Sequence, residues 1–135
     1  MEPQDIRIML VEDNPVDVAF TKKVLKFNRL DNDLVIAIDG EEAMNSLKRL
    51  AMEEKLPNII LLDINLPDIS GIELLTKIKK DIRFKHIPVI MLTGSNIDDD
   101  IQRSYDLGAS TYLVKPISKD ALLLVIQKLF SSSIS

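Results

Sequence analysis

Five short runs of apolar, largely β-branched residues recur along the chain, at 6–11, 34–38, 59–62, 89–92 and 111–114. They are continuous instead of alternating, the mark of strands buried on both faces of a parallel sheet. Between them the apolar positions take up helical spacing. Asn14-Pro15 opens the first helix with an Asx cap before a proline, and Phe20, Val24 and Phe27 follow at helical spacing. Ala43, Leu47, Leu50 and Ala51 mark a second helix. Ser70 caps a third, in which Leu74, Leu75, Ile78 and Ile82 form one stripe while Lys77, Lys79 and Lys80 face water. Ser95 or Asn96 opens a fourth, with Asp98, Asp99 and Asp100 in its first turn, where acidic side chains suit the helix dipole. Ser118 caps a fifth. Strands alternating with helices predict an α/β sandwich, a five-stranded parallel sheet between layers of helices. One domain is expected over 1–130, followed by a short Ser-rich tail at 131–135 that frays, with no output domain.

Composition narrows the classes. With 135 residues, 46% of them apolar, the chain has enough core to fold without staples, and it has no cysteine, so disulfides, thiolate metal sites and Cys nucleophiles are excluded. A net charge of −4 is the wrong sign for a domain whose main partner is DNA, RNA or an anionic membrane. The apolar stretch 121–126 falls far short of the roughly 20 residues a membrane helix needs, and the acidic N-terminus is unlike a signal peptide. The expected location is the cytoplasm.

In a doubly wound sheet, ligands bind beyond the carboxyl ends of the strands. The first strand delivers Glu12 and Asp13 there, the third Asp63, the fourth Thr93-Gly94 and the fifth Lys115-Pro116. Three carboxylates against one ammonium leave two negative charges, which a divalent cation balances. Hard oxygen donors without His or Cys suit Mg²⁺ or Mn²⁺ over Zn²⁺ or Cu²⁺. A cation beside Lys115, a threonine hydroxyl and free backbone amides suits a phosphoryl group, and Asp63 is the candidate nucleophile for it. Each motif has a bland alternative. Glu12-Asp13-Asn14-Pro15 alone is a turn and a helix cap, Asp63 alone a salt-bridge partner of Lys115, and Thr93-Gly94-Ser95 alone a loop. Their convergence is what favours a site.

Taken in order, Val11-Glu12-Asp13-Asn14-Pro15, Leu61-Leu62-Asp63-Ile64-Asn65-Leu66-Pro67-Asp68-Ile69-Ser70-Gly71, Met91-Leu92-Thr93-Gly94-Ser95 and Gly108-Ala109-Ser110-Thr111-Tyr112-Leu113-Val114-Lys115-Pro116 resemble the response-regulator receiver domains of two-component signalling over nearly the whole chain. The resemblance implies a flavodoxin-like strand order 2-1-3-4-5. It implies that Asp63 accepts a phosphoryl group from the phosphohistidine of a sensor kinase or from a small donor. It further implies that Glu12, Asp13, Asp63 and the backbone carbonyl of Asn65 hold Mg²⁺, and that Lys115 and Thr93 contact the bound phosphoryl group. Tyr112 would then turn inward, changing the surface of the fourth helix, fifth strand and fifth helix. Lys115-Pro116 matches the family's cis peptide, and Asn65 and Ser95 lie where the lifetime of the acyl phosphate is tuned. The lead Glu12-Asp13-Asn14-Pro15-Val16-Asp17 resembles, more narrowly, single-domain regulators paired with bacterial phytochromes.

Such a module signals through a downstream protein, a phosphotransfer domain or a second copy. The fifth helix is apolar almost all round, so Leu123 or Leu124, with Phe130, is expected to reach the surface as an interface. His86, the one histidine, reads as a solvated loop residue. A flavin carrier of the same fold is disfavoured by the acidic loop after the first strand, where a flavin phosphate needs hydroxyl and amide donors. A turnover phosphatase would carry its acidic pair beside the nucleophile on the first strand. A pseudo-receiver would lack the full acidic set.

Overall fold

The computed structural model describes residues 5–94 and 98–130. Strands β1 (Ile8–Val11), β2 (Val35–Ala37), β3 (Ile59–Asp63), β4 (Val89–Thr93) and β5 (Thr111–Val114) alternate with helices α1 (Pro15–Phe27), α2 (Gly40–Met52), α3 (Gly71–Lys80), α4 (Asp98–Asp106) and α5 (Lys119–Phe130). The strands form one parallel sheet in the order β2-β1-β3-β4-β5. Its side chains divide by the two-residue period of a strand. Met9, Val11, Ile60, Leu62 and Met91 pack with Leu47, Leu74, Leu75 and Ile78 of α2 and α3. Ile8, Leu10, Ile59, Leu61 and Ile90 pack on the other face with Val24, Leu25, Leu122 and Ile126 of α1 and α5. β1, β3 and β4 are buried throughout, as their unbroken apolar runs demand.

Local chemistry sets the helix starts. Asn14 accepts from the amides of Val16 and Asp17 with Pro15 in the first turn of α1, Asp39 Oδ1 accepts from Glu42 N at 2.7 Å, and Ser70 Oγ from Glu73 N at 3.1 Å. Ser118 Oγ accepts from Ala121 N at 3.3 Å. The cap expected from Ser95 or Asn96 and the tail at 131–135 lie outside the described residues.

Several expectations need correction. β1 starts at Ile8 and not at residue 6, because Arg7 N donates to the Asn58 side chain at 2.7 Å instead of to a strand neighbour. β2 keeps only three of the five residues expected, and Ile38 beyond it is exposed. The inward face of α1 is Thr21, Val24 and Leu25, whereas Phe20 and Phe27 are 44% and 67% exposed. Phe27 instead lies beneath the Lys119 ammonium, 4.0 Å from its ring centroid. α3 ends at Lys80, so Ile82 falls beyond the helix and is exposed. Lys79 does not face water, since its ammonium donates to the carbonyls of Ile87 at 2.7 Å and Lys85 at 3.1 Å. His86 is exposed, as expected. No helix among the described residues is long and apolar enough to cross a membrane.

Candidate functional site

The carboxyl ends of β1, β3, β4 and β5 meet at one edge of the sheet. Glu12 follows β1 directly, its amide extending the ladder to the Ala37 carbonyl at 3.0 Å, so its side chain enters the domain and is 1% exposed. Asp63 closes β3 and is 4% exposed, while Asp13 beside Glu12 is open to solvent. One carboxylate oxygen from each of Glu12, Asp13 and Asp63 lies within 4.8 Å of the others.

Lys115, just past β5, binds the cluster together. Its Nζ donates to Glu12 Oε1 at 2.7 Å and to Asp17 Oδ2 at 3.1 Å, and lies 3.2 Å from Asp63 Oδ2. Its own amide donates to the Thr93 carbonyl at 2.7 Å, which fixes the end of β5 against the end of β4. Burial works against the ammonium. The bonds to Glu12 and Asp17 and the pull of Asp63 outweigh it, and the Lys115 pKa is raised. Glu12 is pushed up to about 7, first by burial and then by its contact with Asp63, with Lys115 only partly offsetting both. One ammonium thus serves three carboxylates and leaves Glu12 poised to protonate.

That donor set fits a hard divalent cation. The converging atoms are all carboxylate oxygens, negative charge exceeds positive, and no His or Cys is among them. The remaining candidates are dispersed around this centre. Thr93 ends β4 and is buried. Asn65 N donates to Asp63 Oδ1 at 3.2 Å, so the loop after β3 folds back over the carboxylate. Tyr112 on β5 is half-buried and meets Tyr105 of α4 edge to face, with ring centroids 6.3 Å apart. The Lys115–Pro116 bond is cis. Ser95 lies outside the described residues. On α5, Leu124 is 53% exposed, but Leu123 is only half-buried and Phe130 packs partly against the core.

Two carboxylates escaped the sequence reading. Asp17 shares Lys115, yet in sequence it looks like any acidic residue in a first helical turn. Asp68 Oδ1 accepts from Gly40 N and Ile69 N, each at 2.9 Å, and its Oδ2 from Glu41 N at 3.0 Å. The bond from Gly40 leads the causes that hold the Asp68 pKa below its usual range. The loop that follows Asp63 is thereby tied to the start of α2. Gly71, the first residue of α3, sits so close to the Asp63 and Ile64 backbone that no Cβ fits there.

The model of the response regulator receiver domain matches residues 8–127. The chain belongs to this family. Receiver domains take phosphoryl groups from histidine kinases in two-component signalling, and as a class they are not turnover enzymes. Response regulator Rcp1 of Synechocystis sp. is 40% identical over 122 residues, covering 89% of this chain and 83% of Rcp1. The crystal structure of the Mn²⁺-bound form of Rcp1 superposes with a TM-score of 0.73 at 39% identity, over 93% of this chain and 92% of that one. The phosphorylated cyanobacterial phytochrome response regulator RcpA gives 0.77 at 35% identity, over 96% and 94%. The receiver domain of sensor histidine kinase PA1611 from Pseudomonas aeruginosa, with a magnesium ion in its active-site cleft, gives 0.77 at 28% identity, over 91% and 95%. The similarity to phytochrome response regulators agrees with the narrower resemblance of the lead after β1.

Proposed function

We propose that this receiver domain accepts a phosphoryl group on Asp63 in a reaction that depends on Mg²⁺ or Mn²⁺, and that it signals through a protein partner. The observation that carries the reading is the buried Asp63 carboxylate, sharing Lys115 with Glu12 and lying within reach of Asp13. Glu12, Asp13, Asp63 and the backbone carbonyl of Asn65 would hold the cation. When bound, it neutralises charge on the carboxylates and on the incoming phosphoryl oxygens.

An Asp63 carboxylate oxygen attacks phosphorus, and the phosphorus–nitrogen bond of the donor phosphohistidine breaks, its electron pair returning to the imidazole nitrogen. The product is an acyl phosphate, later cleaved by water. Lys115 is already 3.2 Å from Asp63 Oδ2, so its ammonium needs only a short shift to pair with a phosphoryl oxygen. Thr93 supplies a hydroxyl at the end of β4, and Asn65 and Ser95 would tune how long the acyl phosphate lasts. As Thr93 engages, Tyr112 turns inward and the surface of α4, β5 and α5 changes, which alters partner affinity only if partners bind the two forms differently. Leu123, Leu124 and Phe130 on α5 would contribute to that interface, with a second copy, a target protein or a phosphotransfer domain as occupant. The domain acts as a regulator in the cytoplasm, and the likeness to RcpA favours a phytochrome-type sensor kinase as donor.

The test is intact mass after incubation with acetyl phosphate, with and without Mg²⁺, for the parent and Asp63→Asn. One phosphoryl group gained only with Mg²⁺ and only by the parent is the expected result. Equal gain by Asp63→Asn would overturn the assignment of the acceptor. No gain from acetyl phosphate or phosphoramidate would refute acceptance from small donors.

A further inference from the structure

β2 is an edge strand, and its register fixes what it offers to solvent. Ala37 accepts from Glu12 N, so the polar groups of Ala37, and of Val35 two residues earlier, face β1. The amide and carbonyl of Ile36 therefore point to the open side. Alternation also sends the side chains of Leu34 and Ile36 to the sheet face covered by α1. There they floor a cleft of about 520 Å³ whose wall is Ala19, Lys22, Lys23 and Lys26, one face of α1 at helical spacing. Asp31 is the single acidic residue lining it. The three lysines are exposed, and no ion pair among the described residues engages them. In a chain of net charge −4, this is a local excess of positive charge over an apolar floor, beside a strand edge that no other strand among the described residues pairs with.

We propose that the β2 edge and this cleft form a second interaction surface, which binds an extended acidic peptide of a partner protein by strand addition. Ile36 supplies one donor and one acceptor for the added strand. Alternate side chains of that strand point toward α1, where carboxylates meet Lys22, Lys23 and Lys26 and their methylene stems lie over Leu34 and Ile36, while the intervening apolar groups point to the other sheet face, beside Val35. The lysine wall chooses an acidic strand over a neutral one, and it disfavours a second copy, whose own β2 edge would bring the same lysines. The surface is separate from the carboxylate cluster, so its occupation and phosphorylation of Asp63 can fail or succeed independently.

The probe is the heptapeptide Glu-Val-Glu-Val-Glu-Val-Glu, acetylated and amidated, titrated into ¹⁵N-labelled protein and followed by amide shifts and exchange. Shifts confined to Leu34, Ile36, Ile38 and the Lys22 to Lys26 turn are expected, with slowed exchange of the Ile36 amide. A peptide of equal charge with proline replacing each valine should bind far more weakly, because it cannot pair along the edge. Lys22→Glu/Lys23→Glu/Lys26→Glu should weaken binding about tenfold or more, an effect that salt reduces. These lysines are exposed, so an unchanged circular dichroism spectrum is expected and separates lost binding from lost fold. Equal binding of the proline peptide, insensitivity to the triple substitution, or shifts elsewhere would overturn the proposal. Protection of Ile36 that grows with protein concentration in the absence of peptide would also overturn it, by showing a second copy on the edge.

Discussion

Gly71→Ala isolates one contact that controls both stability and chemistry. A Cβ at this position would stand 2.7 Å from Ile64 Cα and 2.9 Å from the Asp63 carbonyl carbon, and closer still to the Asp63 carbonyl oxygen. All three are backbone atoms, so no rotamer change relieves them. Ordinary contact begins near 3.4 Å, so the segment carrying Asp63 must move by at least about 0.7 Å away from α3. The move also strains the bond from Gly71 N to the Ile64 carbonyl, 2.6 Å long. Overpacking of this kind costs about 1–3 kcal/mol. For a domain of this length that lowers Tm by roughly 4–12 °C. Displacing a reacting group by about 1 Å can slow a reaction ~100-fold. The expected result is a lower Tm by scanning calorimetry together with a phosphorylation rate, from acetyl phosphate at saturating Mg²⁺, reduced by at least tenfold at a temperature where the variant is fully folded. A Tm within about 1 °C of the parent with an unchanged rate would refute the contact and its role in placing Asp63.

Glu12 has its folded pKa near 7 against an ordinary value of 4.5, so between those values the folded state holds a proton that the unfolded state has lost. Metal-free protein should therefore lose stability as pH rises from 4.5 to 7, Glu12→Gln should flatten that trend in a Tm-versus-pH series, and Mg²⁺ at 100 times its Kd should restore about 2.7 kcal/mol at pH 7. Lys79→Met leaves the carbonyls of Lys85 and Ile87 without their donor and should cost about 1–3 kcal/mol in urea unfolding. Phe84 is fully buried and Phe20 is half exposed, so Phe84→Ala should cost about 3–5 kcal/mol and Phe20→Ala within about 0.5 kcal/mol; equal costs would contradict the packing described.

The sheet was legible because strands buried on both faces leave unbroken apolar runs, which a one-dimensional pattern preserves. The same pattern misled on α1. Phe20, Val24 and Phe27 satisfy helical spacing as well as Thr21, Val24 and Leu25 do, and only the docking of α1 beside α5 selects the second set, burying a threonine and exposing two phenylalanines. Charge type was equally ambiguous. Lys79 resembles its neighbours Lys77 and Lys80, but the carbonyls it satisfies belong to the turn six to eight residues later. The carboxylates at the ends of β1 and β3 could be read from the strand ends. Asp17 and Asp68 could not, because one acts across to β5 and the other across to α2, and neither partner is visible along the chain.

Lys115 bonds to Glu12 across 103 positions of sequence and to Asp17 across 98. No shorter piece of the chain contains both sides of that contact. Four strand ends must be in register before the ammonium can hold the carboxylates, so the chemistry is a property of the finished topology and of no folding subunit within it. Reactivity toward a phosphoryl donor is therefore a check on completeness: a chain without its last strand has no anchored Lys115, and one with an inner strand mispaired does not bring the carboxylates to it. A cell reading such a switch would register damaged copies as absent instead of as permanently on.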